Sequence, residues 1–288
     1  MYVFVPIVAG FSAILSIIAF FLNFYILLII FCFKKAPRNP ELCLVYLRIA
    51  VDLFYSLTIS IGMIYFLIRV VSPDTVIKNL TFFIAWPLSN LGTTRIFVVF
   101  VITLDRVLAT CFPIIYHNHR FKIPTVSIVS VIFLYVVLEQ YMLFRFCEYV
   151  LDVPNSCINL GCALNQCYSY YRREFEQFGY LSIGILSGVL GFRLFIWTYF
   201  SKNQSNKKLS RATKIALLDT FIILTTNLLP SFLIAHSAEI MNFQNVGPLS
   251  ALFRHGGFVI EAVIVIKVLL GKTNIVAISA SKPSPNGI

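Results

Sequence analysis

Charged side chains interrupt long apolar stretches of this sequence, where they are the groups best able to do chemistry. Arg48 and Asp52 are one helical turn apart, so on a helix they share a face and can neutralise each other. Asn23 and Asp52 each lie about 15 Å from the same end of their stretches, at 1.5 Å per residue, and could hydrogen-bond between antiparallel helices. Such residues form either a polar switch or ion site, or an ion pair satisfied within the protein.

Two other pairs of charged residues occupy matching depths. Arg193 and Asp219 lie near the inner ends of consecutive apolar stretches, and we expect them to link those two helices. Arg95 and Glu261 both lie about 16 Å above the inner surface, at the rise of an α-helix. A contact between Arg95 and Glu261 is therefore possible, although the sequence does not show that their helices touch.

Arg254 and His255 lie in the outer third of the last apolar stretch. Two cationic donors there could face an outer cavity and bind an anionic or carbonyl group of a ligand. Equally, both side chains could extend to the membrane surface. The sequence leaves both interpretations open.

The sequence has no pattern typical of an enzyme or a metal site. A nucleophile with a correctly spaced base, a glycine-rich phosphate loop and a paired-histidine hydrolase motif are all missing. His117 and His119 lie beside Arg120 without further ligands in register, which indicates a solvated basic loop. We therefore expect no enzymatic activity, no cofactor and no bound metal.

The elements that must position these residues are membrane-spanning helices. Of 288 residues, 59% are hydrophobic and 12% are charged, against about 25% charged in an ordinary soluble domain; the mean hydropathy is +0.86. This composition excludes a soluble enzyme, a disordered tail and a small disulfide scaffold. A spanning helix needs about 20 apolar residues, and seven stretches qualify: 6–33, 43–68, 81–104, 124–146, 178–200, 214–236 and 248–270. We predict an all-α integral membrane bundle of seven helices over 1–270 and a short cytoplasmic tail over 271–288.

The distribution of basic and cysteine residues predicts the orientation of the bundle. Lys and Arg are concentrated in the loops on the side of the first loop, which places the N-terminus outside and the C-terminus in the cytoplasm. The net charge of +11 then reflects basic cytoplasmic loops and not nucleic-acid binding. Four of the seven Cys lie together in an outer loop, where two disulfides with three alternative connectivities are expected: Cys147, Cys157, Cys162 and Cys167. The Asn79-Leu80-Thr81 glycosylation sequon also faces outside but adjoins a span.

A longer motif closes the third span. The run from Leu104 to Tyr116 resembles the Asp-Arg-Tyr region of rhodopsin-like G-protein-coupled receptors, with Asp105, Arg106, Pro113 and Tyr116 at the family's offsets. An Asp-Arg pair at a helix end is an exchangeable salt bridge, and breaking it frees the arginine for a partner's carbonyl groups. Pro113 is expected to end the helix and Tyr116 to lie in the following loop.

Other positions indicate a divergent branch of these receptors. Asn23 and Asp52 resemble polar positions of the first two spans, and Pro230 resembles the kink proline of the sixth. The departures are Val107 in place of the motif's Tyr, Leu228 where a Trp is usual, and the missing Asn-Pro-x-x-Tyr of the seventh span. Several strings resemble the nematode serpentine chemoreceptors of class bc: 77–80, 86–95, 160–163, 217–221 and 229–232.

This resemblance implies a chemosensory receptor in the plasma membrane, with sensory-neuron cilia as a candidate site. It also implies a heterotrimeric G protein, a small-molecule ligand and the bilayer as partners and no nucleic acid. An environmental or pheromone-like molecule would bind between the outer halves of spans three, five, six and seven. The expected ligand contacts are Asn90, Arg95, Arg254 and His255. The expected coupling residues are Asp105, Arg106, Pro113, Tyr116, Lys207, Lys208 and Arg211. The expected polar switch comprises Asn23, Arg48, Asp52, Arg193, Asp219 and Pro230.

Two alternatives belong to other functional classes. A seven-span ligand-gated channel, as in insect odorant receptors, would place its N-terminus inside, against the charge bias of the loops. A secondary transporter would use Asp52 and Glu261 as a coupling relay, and it would leave the Asp105–Tyr116 motif without a role.

Overall fold

Eight α-helices make up most of the described part of the chain. The computed structural model describes residues 4–33, 42–72, 74–120, 125–157, 160–200, 211–230 and 248–270, and no strand occurs among them. In chain order the helices are α1 (Phe4–Phe31), α2 (Cys43–Val71), α3 (Leu80–Cys111), α4 (Pro113–Arg120), α5 (Thr125–Tyr141), α6 (Gln166–Phe200), α7 (Arg211–Ile223) and α8 (Leu249–Leu270). A π-helical turn extends α5 (Met142–Phe146) and another extends α7 (Leu224–Leu228), and a 3-10 turn (Leu160–Ala163) precedes α6. The predicted all-α seven-helix bundle is confirmed.

Within the described residues, five helices are long and apolar enough to cross a membrane by length and composition: α1, α2, α5 with its π turn, α6 and α8. The helix α3 has 32 residues, which is about 48 Å at 1.5 Å per residue. The helix α7 is a shorter apolar segment within the described residues. Large apolar side chains point outward from α1, α5 and α6, as expected where lipid replaces water.

Two helix boundaries differ from the predicted ones for a local reason. The helix α6 begins at Gln166, whereas the predicted span began at 178. The prediction began too late because the first turns of α6 are polar and do not count toward an apolar stretch. The Asn165 side chain accepts the Tyr168 backbone N–H at 3.0 Å and so caps this start. Pro113 opens α4, a favoured first position for proline, so Tyr116 lies on a short helix and the prediction that it lies in a loop is wrong.

The helix α3 is the central element of the bundle. It packs against α2, α5, α6 and α7, while α1 packs against α2 and α8. The helix α5 is peripheral, and Ile132 and Glu139 are its buried residues. Aliphatic side chains of α1, α2, α3, α5, α7 and α8 form the largest apolar cluster among the described residues, which lies toward the end of the bundle that carries Asp105 and Arg106. We call this end the Asp-Arg end.

The opposite end is closed by the loop between α5 and α6, and we call it the disulfide end. Cys147 pairs with Cys167 and Cys157 pairs with Cys162, with Cα–Cα distances of 5.6 and 5.7 Å. One of the three open connectivities is thereby selected. Arg69, in the last turn of α2, donates to the carbonyl oxygens of Asn155 (2.6 Å) and Cys157.

The loop at the disulfide end also packs onto the start of α3. Tyr149 stacks on Phe82 with ring centroids 5.0 Å apart, and its hydroxyl donates to the Ala163 carbonyl at 2.8 Å. Burial raises the pKa of this tyrosine hydroxyl. The Asn79 side chain accepts the Val153 backbone N–H at 3.1 Å, so the amide of the sequon is part of the contact between this loop and α3.

Close approach of α7 and α8 depends on Gly257. A Cβ atom at this position would overlap the Thr226 hydroxyl and lie 2.9 Å from its Cβ. We expect Gly257→Ala to lower the free energy of unfolding by about 1–3 kcal/mol, the usual cost of overpacking. The measurement is the thermal unfolding midpoint of the purified protein in detergent.

Gly256→Ala is the matched control for this prediction. Its added Cβ would meet Leu15 Cδ1 at 4.0 Å, an ordinary contact, while the gain in helix propensity is the same for both substitutions. Equal midpoints for the two variants would contradict the close approach of α7 and α8.

Candidate functional site

Four buried charged side chains form a closed ring in the middle of the bundle. Arg48 and Asp52 come from α2, Arg95 from α3 and Glu261 from α8. Arg95 Nε lies 2.7 Å from Asp52 Oδ1, and Arg95 Nη2 lies 2.6 Å from Glu261 Oε2. Arg48 pairs with the other Glu261 oxygen, and its Nε lies 3.6 Å from Asp52 Oδ2. We call these four residues the charge ring.

Charge balance allows this ring to exist in an apolar environment. Its side chains are at most 4% exposed, and two guanidinium groups offset two carboxylates. Isolated buried charges cost several kcal/mol each, which attraction repays only when geometry and hydrogen bonding are good. The Arg95 guanidinium also lies over the Phe258 ring, 4.5 Å from its centroid. The charge ring therefore fixes α2, α3 and α8 relative to one another.

The charge ring joins residues that were expected to form separate pairs. The Arg48–Asp52 contact is where the one-turn spacing placed it, and Arg95 meets Glu261 as their depths allowed. The hydrogen bond that Asn23 and Asp52 could form is not made, and the Asn23 side chain donates to the Ala19 carbonyl at 2.9 Å. Arg95 was expected to contact ligand, but both carboxylates of the ring already engage it.

A second polar cluster lies nearer the disulfide end. Glu176 Oε1 accepts from Arg172 Nε and Nη2, both at 3.0 Å, and Glu176 Oε2 lies 3.5 Å from Arg254 Nη2. Arg254 Nε donates to the Asn227 side chain at 3.0 Å, and its Nη1 donates to the Tyr55 hydroxyl at 3.3 Å. We call these five residues the outer polar cluster; they come from α2, α6, α8 and the π turn after α7.

The remaining expected ligand contacts lie outside this cluster. His255 is fully buried against α1, with Nδ1 at 2.8 Å from the Ser12 hydroxyl. The Asn90 side chain accepts from Gln140 Nε2 at 2.8 Å. Of the four expected ligand contacts, the cluster contains Arg254 alone.

Three charged residues within the bundle were not predicted from the sequence to be functional. Arg172 and Glu176 fell outside the predicted fifth span, because they belong to the polar first turns of α6. Glu139 is buried in α5 and accepts from the Thr93 hydroxyl at 2.5 Å. A sequence signal for Glu139 was available, since it is an acidic residue inside a predicted span.

A third polar group closes the Asp-Arg end. Arg106 Nε donates to Asp105 Oδ2 at 3.1 Å, and Arg106 Nη2 pairs with the same oxygen. The Tyr116 hydroxyl donates to Asp105 Oδ1 at 3.0 Å and accepts from Arg106 Nη2 at 3.3 Å. Because α4 begins at Pro113, with Phe112 alone between it and α3, it carries Tyr116 back to the pair. We call Asp105, Arg106 and Tyr116 the closed triad.

The other expected switch and coupling residues divide between described and undescribed positions. Pro230 is buried, two residues after the π turn of α7. Arg193 is exposed on α6, whereas the side chains of its expected partner Asp219 and of Arg211 are outside the described set. Lys207 and Lys208 also lie outside the described residues.

The family of the chain follows from a match along nearly its whole length. The family model described as serpentine type 7TM GPCR chemoreceptor Srbc matches residues 1–273. The chain belongs to this family, which is a family of chemoreceptors and not of enzymes, and it is a multi-pass membrane protein of the receptor class. None of the curated proteins compared with the chain matches it.

The charge ring makes a direct prediction about stability. Glu261→Gln leaves two buried guanidinium groups with one carboxylate, so we expect a loss of about 3–5 kcal/mol, as when one partner of a buried ion pair is removed. The measurement is the unfolding midpoint in detergent, together with the fraction of protein that reaches the cell surface.

Asp152→Asn is the control, since it breaks the Lys78–Asp152 ion pair. The two charged atoms of this pair are 3.4 Å apart, and both side chains are more than 70% exposed. Exposed pairs contribute about 0–1 kcal/mol. If Glu261→Gln costs no more than Asp152→Asn, the charge ring is not a structural constraint.

Proposed function

We propose that this protein is a G-protein-coupled chemosensory receptor of the plasma membrane, which detects a small environmental or pheromone-like molecule and signals to a heterotrimeric G protein. The closed triad is the observation that carries this proposal. It lies at the end of the bundle opposite the disulfides, which we propose is the cytoplasmic end. Disulfides persist in an oxidising compartment, so the N-terminus would lie outside.

The closed triad is neutralised and hydrogen-bonded within itself. Asp105 neutralises Arg106, Tyr116 bonds to both, and the Asp105 and Arg106 side chains are 11% and 5% exposed. In this arrangement the arginine is held against its own helix end. Opening the triad would form a cleft at the Asp-Arg end and present the Arg106 guanidinium group to the carbonyl groups of a G-protein helix. By this proposal, the basic residues Lys207, Lys208 and Arg211 would line that cleft.

The π turn of α7 supplies a place where the bundle can bend. Leu229 donates its N–H to the Leu224 carbonyl, a step of five residues, and Pro230 follows. A proline cannot donate an N–H and its ring crowds the carbonyl four residues earlier. Such π turns are frequent at functional sites in helices. By this proposal, ligand binding favours a state in which α7 moves away from α3 at the Asp-Arg end, as far as its differential affinity for the two states allows.

The proposal predicts a ligand-independent phenotype. Tyr116→Phe removes the hydroxyl that bonds to both members of the Asp105–Arg106 pair. Since a hydrogen bond contributes about 0.5–1.5 kcal/mol, we expect basal G-protein activation to rise by about fivefold. The measurement is G-protein dissociation by resonance energy transfer in cells with matched surface expression.

Ile114→Ala is the matched control, because Ile114 is an exposed residue of the same short helix. Adding Arg106→Ala to Tyr116→Phe should abolish the increase. A basal signal that is unchanged in Tyr116→Phe, or that survives the loss of Arg106, would contradict coupling through the triad. A membrane current or ion-coupled uptake that is indifferent to both substitutions would instead favour the channel or the transporter.

A further inference from the structure

The outer polar cluster carries more positive than negative charge. Arg172 and Arg254 share the single carboxylate of Glu176, and no other ion pair within 4.0 Å joins either arginine to an acidic residue in the described part of the chain. Glu139 interacts electrostatically with Arg172 at longer range, and its carboxylate is engaged by the Thr93 hydroxyl. The charge ring is balanced, whereas the outer polar cluster has one positive charge in excess.

The excess charge is centred on Arg254. Glu176 is bound side-on by Arg172 through two contacts of 3.0 Å, while its distance to Arg254 is 3.5 Å. Arg254 uses Nε on Asn227 and Nη1 on Tyr55, which are both neutral partners. A guanidinium group has five N–H donors in a planar fork that fits a carboxylate bidentately. A second carboxylate would therefore find both charge and donors at Arg254.

The cluster is accessible where the charge ring is not. Its charged side chains are 18–22% exposed, against at most 4% in the ring. Arg172 and Arg254 lie in the first two turns of α6 and α8, near the disulfide end. Gly92 of α3 faces the same space, since a Cβ there would lie 3.7 Å from Arg172 Nη2 and 3.6 Å from the Tyr55 ring. These are ordinary van der Waals distances, so the absence of a side chain at Gly92 leaves a space about the size of one methyl group beside both groups.

Aromatic contacts connect the cluster to the charge ring. Tyr55 bonds to Arg254 and meets Phe258 edge to face, with centroids 5.4 Å apart. Phe258 lies under the Arg95 guanidinium. Both rings are buried, and the partly buried Leu91 and Ala251 that pack against them supply apolar surface for the body of a ligand, since binding sites typically combine apolar walls with a few polar groups.

We propose that the outer polar cluster is the binding site for a small organic anion, a molecule with a carboxylate group and a compact apolar body, whose carboxylate binds Arg254 and Arg172 in competition with Glu176. This inference rests on the proposed receptor function for its physiological meaning, but the binding step needs no G protein. It names the chemical class of the ligand: a carboxylic acid in its ionised form, and not its ester or alcohol.

The test uses the full chain purified into nanodiscs of neutral phosphatidylcholine, with hexanoate and benzoate as probes. The expected result is a saturable rise in the unfolding midpoint with each carboxylate, because a ligand that binds the native state stabilises it. Methyl hexanoate and 1-hexanol should give no saturable rise. Arg254→Gln and Arg172→Gln should weaken the apparent carboxylate affinity at least tenfold, and Arg173→Gln, an exposed arginine of the same helix turn, should leave it unchanged.

Glu176→Gln separates a binding defect from a folding defect. It removes the internal competitor, so hexanoate should bind several-fold more tightly, a gain that partial unfolding cannot produce. The proposal is overturned if neither carboxylate stabilises the protein, if the methyl ester matches the acid, or if Glu176→Gln weakens binding. It is also overturned if inorganic phosphate, or phosphatidylglycerol in the nanodisc, stabilises the protein through Arg254 while the carboxylates do not.

The same probes in the G-protein assay keep the two proposals apart. Arg254-dependent carboxylate binding without G-protein activation supports the anion site and counts against the proposed coupling. Activation by the neutral probes that persists in Arg254→Gln supports the coupling and overturns the anion site.

Discussion

Two guanidinium groups and two carboxylates in the dry middle of the bundle are the constraint on which the rest of the structure depends. The charge ring closes only if α2, α3 and α8 hold Arg48, Asp52, Arg95 and Glu261 at one depth, since each of its ion-pair distances is 3.6 Å or shorter. Attraction falls with distance and desolvation does not. A shift of one helix past another would therefore leave charges buried without compensation.

Polar groups elsewhere are arranged in layers about this ring. Toward the disulfide end, Tyr55 and Phe258 lead to the outer polar cluster, which is more exposed and has an excess of positive charge. Toward the opposite end lies an apolar cluster and then the closed triad. The charge ring, in which positive and negative charges are equal in number, suits a structural role. The outer polar cluster and the closed triad suit exchange of binding partners. This arrangement agrees with the proposed function, in which a ligand binds at one end and a signalling partner at the other.

The sequence predicted the helices well and the contacts between them less well. Apolar length predicted the helices of the bundle, and residue depth placed Arg95 level with Glu261, because both quantities are local to a helix. Ring closure could not be read from the sequence, since Arg48 and Glu261 are 213 residues apart and helix order in the bundle sets their meeting. Glu176 was missed because the polar start of α6 hides it from an apolar-length criterion. His255 was grouped with its neighbour Arg254 as an expected ligand contact. Adjacent residues of a helix point in different directions, so His255 does not share the surroundings of Arg254.

The most direct test of this account is a double-mutant cycle between Arg95 and Glu261, read as the unfolding midpoint in detergent. Arg95→Gln and Glu261→Gln together leave Arg48 and Asp52 as a balanced pair, so neither remaining charge lacks a partner. If the ring constrains the bundle, the double variant is more stable than the sum of the two single losses allows, with a coupling of about 1–3 kcal/mol, within the range for residues in contact. Additive losses would show that the charge ring does not hold the bundle together.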